Sequence, residues 1–387
     1  MIANKIIVIS CSNAGSLINF RGKLIEKLLE GNIVFVVTPQ IQDVRIREAL
    51  LEMGVEIRES GLKRNNISVL SDLQYIVELN RLLRVIKPDI FFAYTFKPVV
   101  YGVVVASLCK VENIIGMLTG LGYSFTESSN NLLKYITQQA LKISLRFNRN
   151  SKIIFQNKDD YSELLQKNII TKNTKAFIVN GSGVDLSHYG YSVPDVENIN
   201  FIMISRLLVS KGVNEYVQAA TVLKAKYPDV RFTLAGGYEK GTTDSISEEL
   251  FKQIQSGGVI DYLGWVTDIR QHLVQSTTVV LPSFYREGIP RSLLEALAIG
   301  RPVITTDMIG CKEAVCSEAG RENGFCVPIK NSEALVQKME FLINNPGQIL
   351  YLGKNGRTLA EERFDVNKVN NRMMEILASE SHIPALS

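Results

Sequence analysis

The stretch that decides the fold is Thr278-Val-Val-Leu-Pro-Ser-Phe-Tyr-Arg-Glu-Gly-Ile-Pro-Arg-Ser-Leu-Leu-Glu295. Its first four residues form an apolar run typical of a buried parallel strand, and residues 292–299 repeat apolar side chains at helical spacing. Open α/β sheets bind ligands at the carboxyl ends of their strands, where the next helix offers backbone N–H groups to an anion. Glu287 lies on the loop and Glu295 on the helix. We therefore expect two carboxylates that address different parts of one phosphate-bearing ligand.

Length and composition favour an ordinary globular protein of more than one domain. The chain has 387 residues, more than one hydrophobic core usually holds, and 46% are hydrophobic and 21% charged. A net charge of +4 is too small to favour nucleic acid, so we expect no nucleic-acid partner. Five scattered cysteines, an odd number without zinc spacing, indicate reduced thiols in a cytoplasmic protein.

No stretch predicts a membrane span or a secretion signal. The first apolar run, residues 6–9, is too short for the core of a signal peptide and is interpreted as a first strand. The most apolar later stretch, residues 99–109, is far shorter than the ~20 residues that a span needs.

Short apolar runs alternate with helical patterns twice along the chain. The first series runs from residue 6 to 179 and the second starts at Phe201, which predicts two doubly wound parallel sheets. We expect a Rossmann-like domain at 1–180, a linker at 181–199, a second Rossmann-like domain at 200–365, and a last helix at 366–387 that crosses back to the first domain. The fold class is α/β, with the two domains facing a cleft.

The loop after the first strand, residues 10–16, consists of small residues before a helix. Gly15 lets the backbone approach a ligand there, although a plain strand-to-helix turn explains the loop equally well. The spacing fits neither a dinucleotide fingerprint nor a P-loop, and we expect no cofactor.

A second loop, Ser205-Arg-Leu-Leu-Val-Ser-Lys-Gly212, follows the first strand of the second series. Arg206 as a planar fork and Lys211 as a point charge suit a diphosphate. The alternative is a solvated loop, in which both residue types are common. The acidic loop on the same predicted sheet edge favours the ligand site.

These two loops together resemble the retaining family-4 glycosyltransferases of the GT-B fold. The family signature is an E-x7-E loop paired with an upstream G/S-R-L-x-x-x-K-G loop, and the chain has Glu287-(x7)-Glu295 and residues 205–212. The resemblance extends over about residues 176–380 and includes further matching segments: Ala235-Gly-Gly237, Leu263-Gly-Trp-Val266, Gly300-Arg-Pro-Val303 and Thr305-Thr-Asp307.

The resemblance implies a role for each residue of the motifs. Arg206 and Lys211 would hold the diphosphate of a nucleotide sugar and stabilise the departing phosphate, and Glu287 would contact the donor sugar. Glu295 would bind the ribose hydroxyls. The other implied donor-binding residues are Gly15, Ser205, Val266, Gly288, Ile289, Pro290, Arg291 and Ser292.

Two stretches of the first half, residues 92–102 and 116–125, resemble the branch that extends sugars on polyprenyl-diphosphate carriers. Related enzymes there often transfer N-acetylhexosamines from UDP donors. Many family members carry a histidine near 118–120, where this chain reads Leu118-Thr-Gly120, so no catalytic histidine is assigned. The acceptor-side candidates are Lys97, Thr119, Asn13 and Arg21, with a plain helix-start lysine as the alternative for Lys97.

The sequence predicts no metal ligand set. No D-x-D motif follows a strand, and Asp159-Asp160 fits the acidic first turn of a helix.

The segment 132–147 predicts a basic amphipathic helix, with apolar Leu133, Ile136, Ala140, Ile143 and Phe147. Such a helix suits either an anionic membrane surface or an ordinary core-facing position.

The predicted activity is a retaining, metal-independent glycosyltransferase. It would move a sugar from UDP, an N-acetylhexosamine such as GalNAc or GlcNAc, to a polyprenyl-diphosphate-linked saccharide of a bacterial surface polysaccharide such as O-antigen or capsule. It would work in the cytoplasm, peripherally on the inner face of the plasma membrane. The alternatives are a UDP-sugar 2-epimerase-like enzyme and a non-catalytic nucleotide-sugar-binding protein.

Overall fold

A computed structural model describes residues 2–63, 69–122, 125 and 131–379. Residues 123–124, part of the second family-like stretch, and the side chain of Leu133 lie outside the described set, as does the tail 380–387. The chain folds into two compact units: Met1–Ser182 with Asn367–Ser387, and Gly183–Val366.

The first unit contains a seven-stranded parallel sheet in the order β3-β2-β1-β4-β5-β6-β7. Buried β-branched and aromatic residues dominate its central strands, as expected of a sheet covered on both faces. The strands are β1 Ile6–Ser10, β2 Ile33–Pro39, β3 Glu56–Ser60, β4 Ile90–Tyr94, β5 Asn113–Leu118, β6 Lys152–Phe155 and β7 Lys175–Ile178.

Helices cover both faces of this sheet. The strand order runs one way from β1 to β3 and the other way from β4 to β7, so right-handed crossovers place the first two helices on one face and the next four on the other. The helices are α1 Gly15–Leu29, α2 Val44–Glu52, α3 Val69–Ile86, α4 Phe96–Leu108, α5 Asn131–Phe147 and α6 Lys158–Gln166.

The last helix, α13 Val366–Ala378, returns to the first unit. Met373, Ile376 and Leu377 are buried in the same core as α1 and α2. Lys152 Nζ donates to the Ile376 carbonyl at 2.8 Å, and Asn113 Nδ2 donates to the Leu377 carbonyl at 2.5 Å. These donors satisfy carbonyls that the end of a helix leaves without intrahelical partners.

The second unit contains a six-stranded parallel sheet in the order β10-β9-β8-β11-β12-β13. Its strands are β8 Asn200–Ile204, β9 Arg231–Ala235, β10 Asp261–Gly264, β11 Thr278–Leu281, β12 Val303–Thr306 and β13 Gly324–Val327. Its helices are α7 Val213–Lys226, α8 Glu248–Gln255, α9 Arg270–Val274, α10 Arg291–Ile299, α11 Ser332–Asn344 and α12 Pro346–Leu359.

A buried arginine fixes the amino edge of the second sheet. Arg301 has no exposed surface, and burial lowers its pKa to about 10. Its guanidinium donates to carbonyls of Leu273, Ser276 and Val274 at 2.7–3.1 Å and to Ser192 Oγ at 2.8 Å. One side chain thereby joins the segment before β8 to the connection between α9 and β11.

The predicted fold class is confirmed: both series of strands form doubly wound parallel sheets. Element bounds differ by a few residues, and the first helix starts at Gly15 rather than Leu17 because Asn13 already accepts from the Gly15 N–H. The second compact unit begins at Gly183, and Tyr189 within 183–199 is buried in its core. The binding role of each domain stays a prediction. Across the described residues, no helix is long and apolar enough to cross a membrane.

Candidate active site

The two predicted donor loops start side by side in the second unit. β8 pairs with β11, with Thr278 opposite Phe201 and Val279 opposite Ile202. The strand order reverses between these two strands, which makes their carboxyl ends the topological switch point of the sheet. Residues 205–212 and 282–290 leave the sheet at this point.

A glycine and backbone hydrogen bonds bring the loops into contact. Gly212 has φ +80°, and a Cβ there would lie 2.2 Å from the Pro282 carbonyl oxygen, so only glycine fits this approach. The Phe284 N–H donates to the Ser210 carbonyl at 2.8 Å. The Ser210 N–H in turn donates to Asp244 Oδ1 at 3.0 Å, which fixes the turn before α7.

The structure brings Lys211 and Glu287 into an ion pair. Their side chains are only 11% and 23% exposed, so the pair is shielded from solvent more than most surface ion pairs are. Lys211 Nζ also lies 5.2 Å from the centroid of the Tyr285 ring. Lys211 is therefore held by Glu287 and Tyr285 with its ammonium at the switch point, where it can meet an anionic ligand.

Glu295 accepts hydrogen bonds from two side chains, one on the first turn of its own helix α10 and one on the segment before β8. Its Oε1 accepts from Arg291 Nε at 2.6 Å and from the Tyr189 hydroxyl at 2.9 Å. The side chain is 9% exposed. Burial, and then the charge of Glu295, raises the pKa of Tyr189 above its ordinary value, so Tyr189 stays a hydrogen-bond donor.

The loop into α10 provides a preformed cradle of backbone groups. Residues 288–290 are buried, and α10 starts at Arg291 after Pro290, whose side chain supplies no cap. The N–H groups of a first helical turn have no intrahelical acceptor and attract anions. Gly310 supports this loop from behind, because a Cβ there would lie 2.4 Å from the carbonyl oxygens of Glu287 and Gly288.

Arg206 lies on the same loop but pairs elsewhere. Its Nη1 is 3.5 Å from Glu239 Oε2, and both side chains are more than a third exposed. Ser205 donates through Oγ to the Arg206 carbonyl at 3.0 Å. The half-buried Val266 follows Trp265, which is 75% exposed after β10. These residues line the β8–β10 part of the edge, and the Lys211–Glu287 pair lies at the β8–β11 part.

The acceptor-side candidates lie at the corresponding edge of the first sheet. The Ser12 hydroxyl is 2.8 Å from Thr95 Oγ1, which joins the loops after β1 and β4. Asn13 Oδ1 accepts from the Gly15 N–H at 3.0 Å. Thr119 is half-buried directly after β5. Thr95 adopts φ +70°, an unusual conformation for a β-branched residue and a mark of local strain.

Arg21 is buried rather than presented at the surface. It is 2% exposed, its Nη2 contacts Met117 Sδ at 3.1 Å, and its guanidinium lies 5.5 Å from the Tyr94 ring centroid. Nε and Nη1 have no hydrogen-bond partner among the described residues. Burial lowers the Arg21 pKa to about 10.

Lys97 lies in the first turn of α4 and forms a largely buried ion pair within the first unit. Its Nζ is 2.8 Å from Asp72 Oδ1, and the two side chains are 18% and 12% exposed. The Tyr101 hydroxyl donates to Asp72 Oδ2 at 2.8 Å. Burial, and then Asp72, raises the Tyr101 pKa above its ordinary value. The cluster lies at the amino ends of α3 and α4, beside the carboxyl end of β4.

Sequence reasoning missed the residues that hold the predicted ones. Tyr189 lies in a turn-rich segment with no motif, and Glu239 and Asp244 lie in a loop after β9. Gly310 carries no signal except its residue type. Their roles follow from contacts across the fold, which spacing along the chain does not reveal.

The comparisons with known proteins agree with this geometry. The chain matches the family described as "Glycosyl transferases group 1" over residues 192–359 and the one described as "Glycosyl transferase 4-like" over residues 20–157. Its fold is similar to that of Anabaena Alr3699/HepE, crystallised with UDP, at a TM-score of 0.76 and 20% identity, covering 97% of this chain and 99% of that one.

Relatives in sequence are also glycosyltransferases. The N,N'-diacetylbacillosaminyl-diphospho-undecaprenol alpha-1,3-N-acetylgalactosaminyltransferase of Campylobacter jejuni is 27% identical over 382 residues, covering 94% of this chain and 96% of the relative. An Escherichia coli UDP-Gal:alpha-D-GlcNAc-diphosphoundecaprenol alpha-1,3-galactosyltransferase is 22% identical, covering 80% of each chain.

Two parallel Rossmann-like sheets with a switch-point site in the second define the class: this is a GT-B protein. Within that class the chain is a glycosyltransferase, since it matches the 4-like family in its first half and the group 1 family in its second.

Proposed function

We propose that this glycosyltransferase transfers a sugar, with retention, from UDP to a saccharide linked to a polyprenyl diphosphate in the synthesis of a bacterial surface polysaccharide. An N-acetylhexosamine is the proposed donor sugar. The names of the Campylobacter jejuni and Escherichia coli relatives describe transfer to undecaprenyl-diphosphate-linked acceptors, which supports the acceptor class.

The observation that carries the proposal is the Lys211–Glu287 pair at the β8–β11 switch point. In the proposed complex, the diphosphate lies against Lys211, Arg206 and the N-terminus of α10. Glu287 then accepts hydrogen bonds from donor-sugar hydroxyls, and Glu295, held by Tyr189 and Arg291, accepts from the ribose hydroxyls. A preformed cation that meets charge on the leaving group stabilises the transition state without reorganisation.

The reaction forms a bond between an acceptor hydroxyl oxygen and the anomeric carbon of the donor. The bond from that carbon to the diphosphate oxygen breaks, and UDP leaves with the electron pair. The acceptor proton passes to the leaving phosphate, which lies on the same face of the sugar in a retaining reaction. Arg206 and Lys211, on the loop after β8, stabilise the negative charge of the leaving diphosphate, and we propose no metal requirement.

The acceptor is proposed to bind at the β1–β4 edge of the first sheet, near Asn13, Thr119 and Lys97. Arg21 is proposed to act there indirectly, because its guanidinium packs against the Tyr94 ring at the end of β4.

We further propose peripheral binding to the inner face of the membrane through α5. Ile136, Ile143 and Phe147 are 55%, 63% and 48% exposed, so the face that carries them is not the core-facing one.

The test is transfer by purified protein, with UDP- and GDP-sugars as donors and polyprenyl-diphosphate saccharides as acceptors, read by product mass. We expect product from a UDP-N-acetylhexosamine and a loss of at least a hundredfold with Glu287→Gln. Lys226→Met is the control, because Lys226 forms an ion pair with Glu340 at the far end of α7.

Two results would contradict the proposal. Conversion of a UDP-sugar into its epimer without an acceptor would support the 2-epimerase alternative. UDP-sugar binding without turnover of any acceptor, unchanged in Glu287→Gln, would support the non-catalytic alternative.

A further inference from the structure

A second exposed apolar surface lies on α3, a helix that no motif singles out. Leu70, Leu73 and Val77 are 81%, 52% and 57% exposed and lie on one side of the helix; we call them the α3 stripe. The opposite side buries Tyr75, Leu79 and Leu83 in the core. An ordinary surface helix needs only one apolar side, so the outer stripe indicates a contact beyond the fold.

The α3 stripe and the outer side of α5 belong to one helical layer. The exposed apolar residues of α5, the α5 stripe, are Leu132, Tyr135, Ile136, Ile143 and Phe147. Because α3 to α6 cover one face of the sheet, and α4 contacts both α3 and α5, the two stripes border the same surface. Their first residues lie at the amino ends of the helices, which is the carboxyl edge of the strands.

Positive charge accompanies both stripes. Exposed Arg81 and Arg84 continue the outer side of α3 beyond Val77, and half-buried Lys142 and exposed Arg146 flank the α5 stripe. Asp72, the acidic residue in the first turn of α3, is neutralised by Lys97. Apolar side chains flanked by arginine and lysine match the boundary between acyl chains and anionic headgroups, whereas a binding site for a basic protein would require the opposite charge.

We infer that the α3 stripe docks on an anionic bilayer together with the α5 stripe. Two parallel helices define a plane, so the pair fixes the orientation of the first unit, with the helical layer α3 to α6 lying along the membrane surface. The inference rests on the proposed lipid-linked acceptor, because the carrier's diphosphate lies at that surface. It adds a contact on α3 and an orientation that the α5 helix alone does not specify.

The first experiment measures binding to vesicles by flotation, at low salt, with phosphatidylcholine alone or with phosphatidylglycerol added. Leu70→Gln/Leu73→Gln/Val77→Gln should lower the binding constant for anionic vesicles about tenfold, comparable to Ile136→Gln/Ile143→Gln. The matched control is Val222→Gln, which replaces a 56% exposed residue on α7 of the second unit. Thermal unfolding verifies that each variant folds, which exposed positions should permit.

The second experiment places a reporter in the stripe. Trp265 is the single tryptophan of the chain, so Trp265→Phe gives a background without tryptophan fluorescence. In that background, Leu73→Trp should shift to the blue on anionic vesicles and be quenched by brominated acyl chains. Val222→Trp should do neither. Equal quenching at both positions, or none at Leu73→Trp, would overturn the inference.

The remaining outcomes separate the inference from the proposed function. If the α3 variant binds vesicles like the wild type while the α5 variant does not, α3 is not a lipid contact. If the wild type is dimeric and the α3 variant monomeric, the stripe is an interface between copies instead. Loss of vesicle binding with unchanged transfer to a short-chain, water-soluble acceptor supports the inference. Absent transfer to every acceptor, with vesicle binding intact, would contradict only the proposed function.

Discussion

In both units the strand order reverses beside the first strand of the sheet. β1 lies between β2 and β4 in the first unit, and β8 lies between β9 and β11 in the second. The reversal separates two loops in each unit and leaves a crevice at the carboxyl edge. At the first crevice a pair of hydroxyls, Ser12 and Thr95, joins the loops; at the second, the ion pair of Lys211 and Glu287 does so.

The difference shows what topology decides and what it leaves open. Strand order determines where a ligand can bind, and side chains determine which ligand binds. A charged pair suits the phosphates of a nucleotide sugar, and neutral hydroxyls suit the hydroxyls of a saccharide. In the proposed reaction, the crevice of the second unit binds the nucleotide sugar and the crevice of the first unit binds the acceptor.

The buried arginines repeat the contrast. Arg301 of the second unit has carbonyl and hydroxyl acceptors around its whole guanidinium. Arg21 of the first unit contacts a sulfur and an aromatic ring, and two of its nitrogens lack partners among the described residues. Arg301 therefore holds the fold together through its hydrogen bonds. Burying the incompletely paired charge of Arg21 costs free energy, which favours a role for Arg21 beside the proposed acceptor site.

The largest effect is expected at the crevice of the second unit, where the ion pair of Lys211 and Glu287 joins the two loops. Lys211→Met should lower kcat/KM by about 10²–10³-fold, because the leaving diphosphate loses a preorganised cation. Steady-state kinetics measures it, with Lys226→Met as the matched control in another Lys–Glu pair. A change of less than threefold in Lys211→Met would remove the proposed distinction between the two crevices.

The buried arginines should respond to the same substitution in different ways. Arg301→Met should lower the free energy of unfolding by about 3 kcal/mol, because several buried carbonyls lose their donor. Arg21→Met should leave it unchanged or raise it, since methionine removes an incompletely paired buried charge. Urea unfolding compares them, and equal losses would mean that Arg21 is as fully bonded as Arg301.

A smaller effect is expected at Glu295, the carboxylate proposed to bind the ribose hydroxyls. Tyr189→Phe should raise KM for the UDP-sugar about fivefold to tenfold with little change in kcat, because Glu295 loses the hydroxyl that orients it. Tyr191→Phe, at a position 45% exposed, is the control. A fall in kcat without a change in KM would place Tyr189 in the chemical step instead.

The smallest effect is expected at the crevice of the first unit, where the hydroxyls of Ser12 and Thr95 join the two loops. Thr95 has φ +70° and ψ +157°, a region that glycine adopts without strain. Thr95→Gly should change the free energy of unfolding by less than about 1 kcal/mol, since relief of strain offsets the lost hydroxyl. Thr95→Val should lose about 2 kcal/mol, because it keeps the branched Cβ and loses the bond to Ser12. The reverse order would show that residue 95 is unstrained.

Much of the fold could be predicted from the sequence. Apolar runs such as residues 278–281 and helices such as 213–226 are set by local periodicity, and their alternation limits the topology to parallel sheets with right-handed crossovers. Helix starts are harder to predict: α1 begins at Gly15, whose N–H donates to Asn13 Oδ1, and periodicity contains no sign of this contact. Periodicity alone left two alternatives for the segment 132–147, and the core-facing one does not hold for Ile136 and Ile143, because Leu141 and Leu145 occupy the core instead.

The sequence by itself determined the two loops and their residue types. Each motif lies within one short segment: Lys211 in residues 205–212, and Glu287 and Glu295 in residues 278–295. Only the tertiary structure decided that Lys211 meets Glu287, that Tyr189 holds Glu295, and that Arg206 pairs with Glu239. The reason is physical: strands β8 and β11 are separated by the 73 residues from 205 to 277, and backbone pairing makes them neighbours.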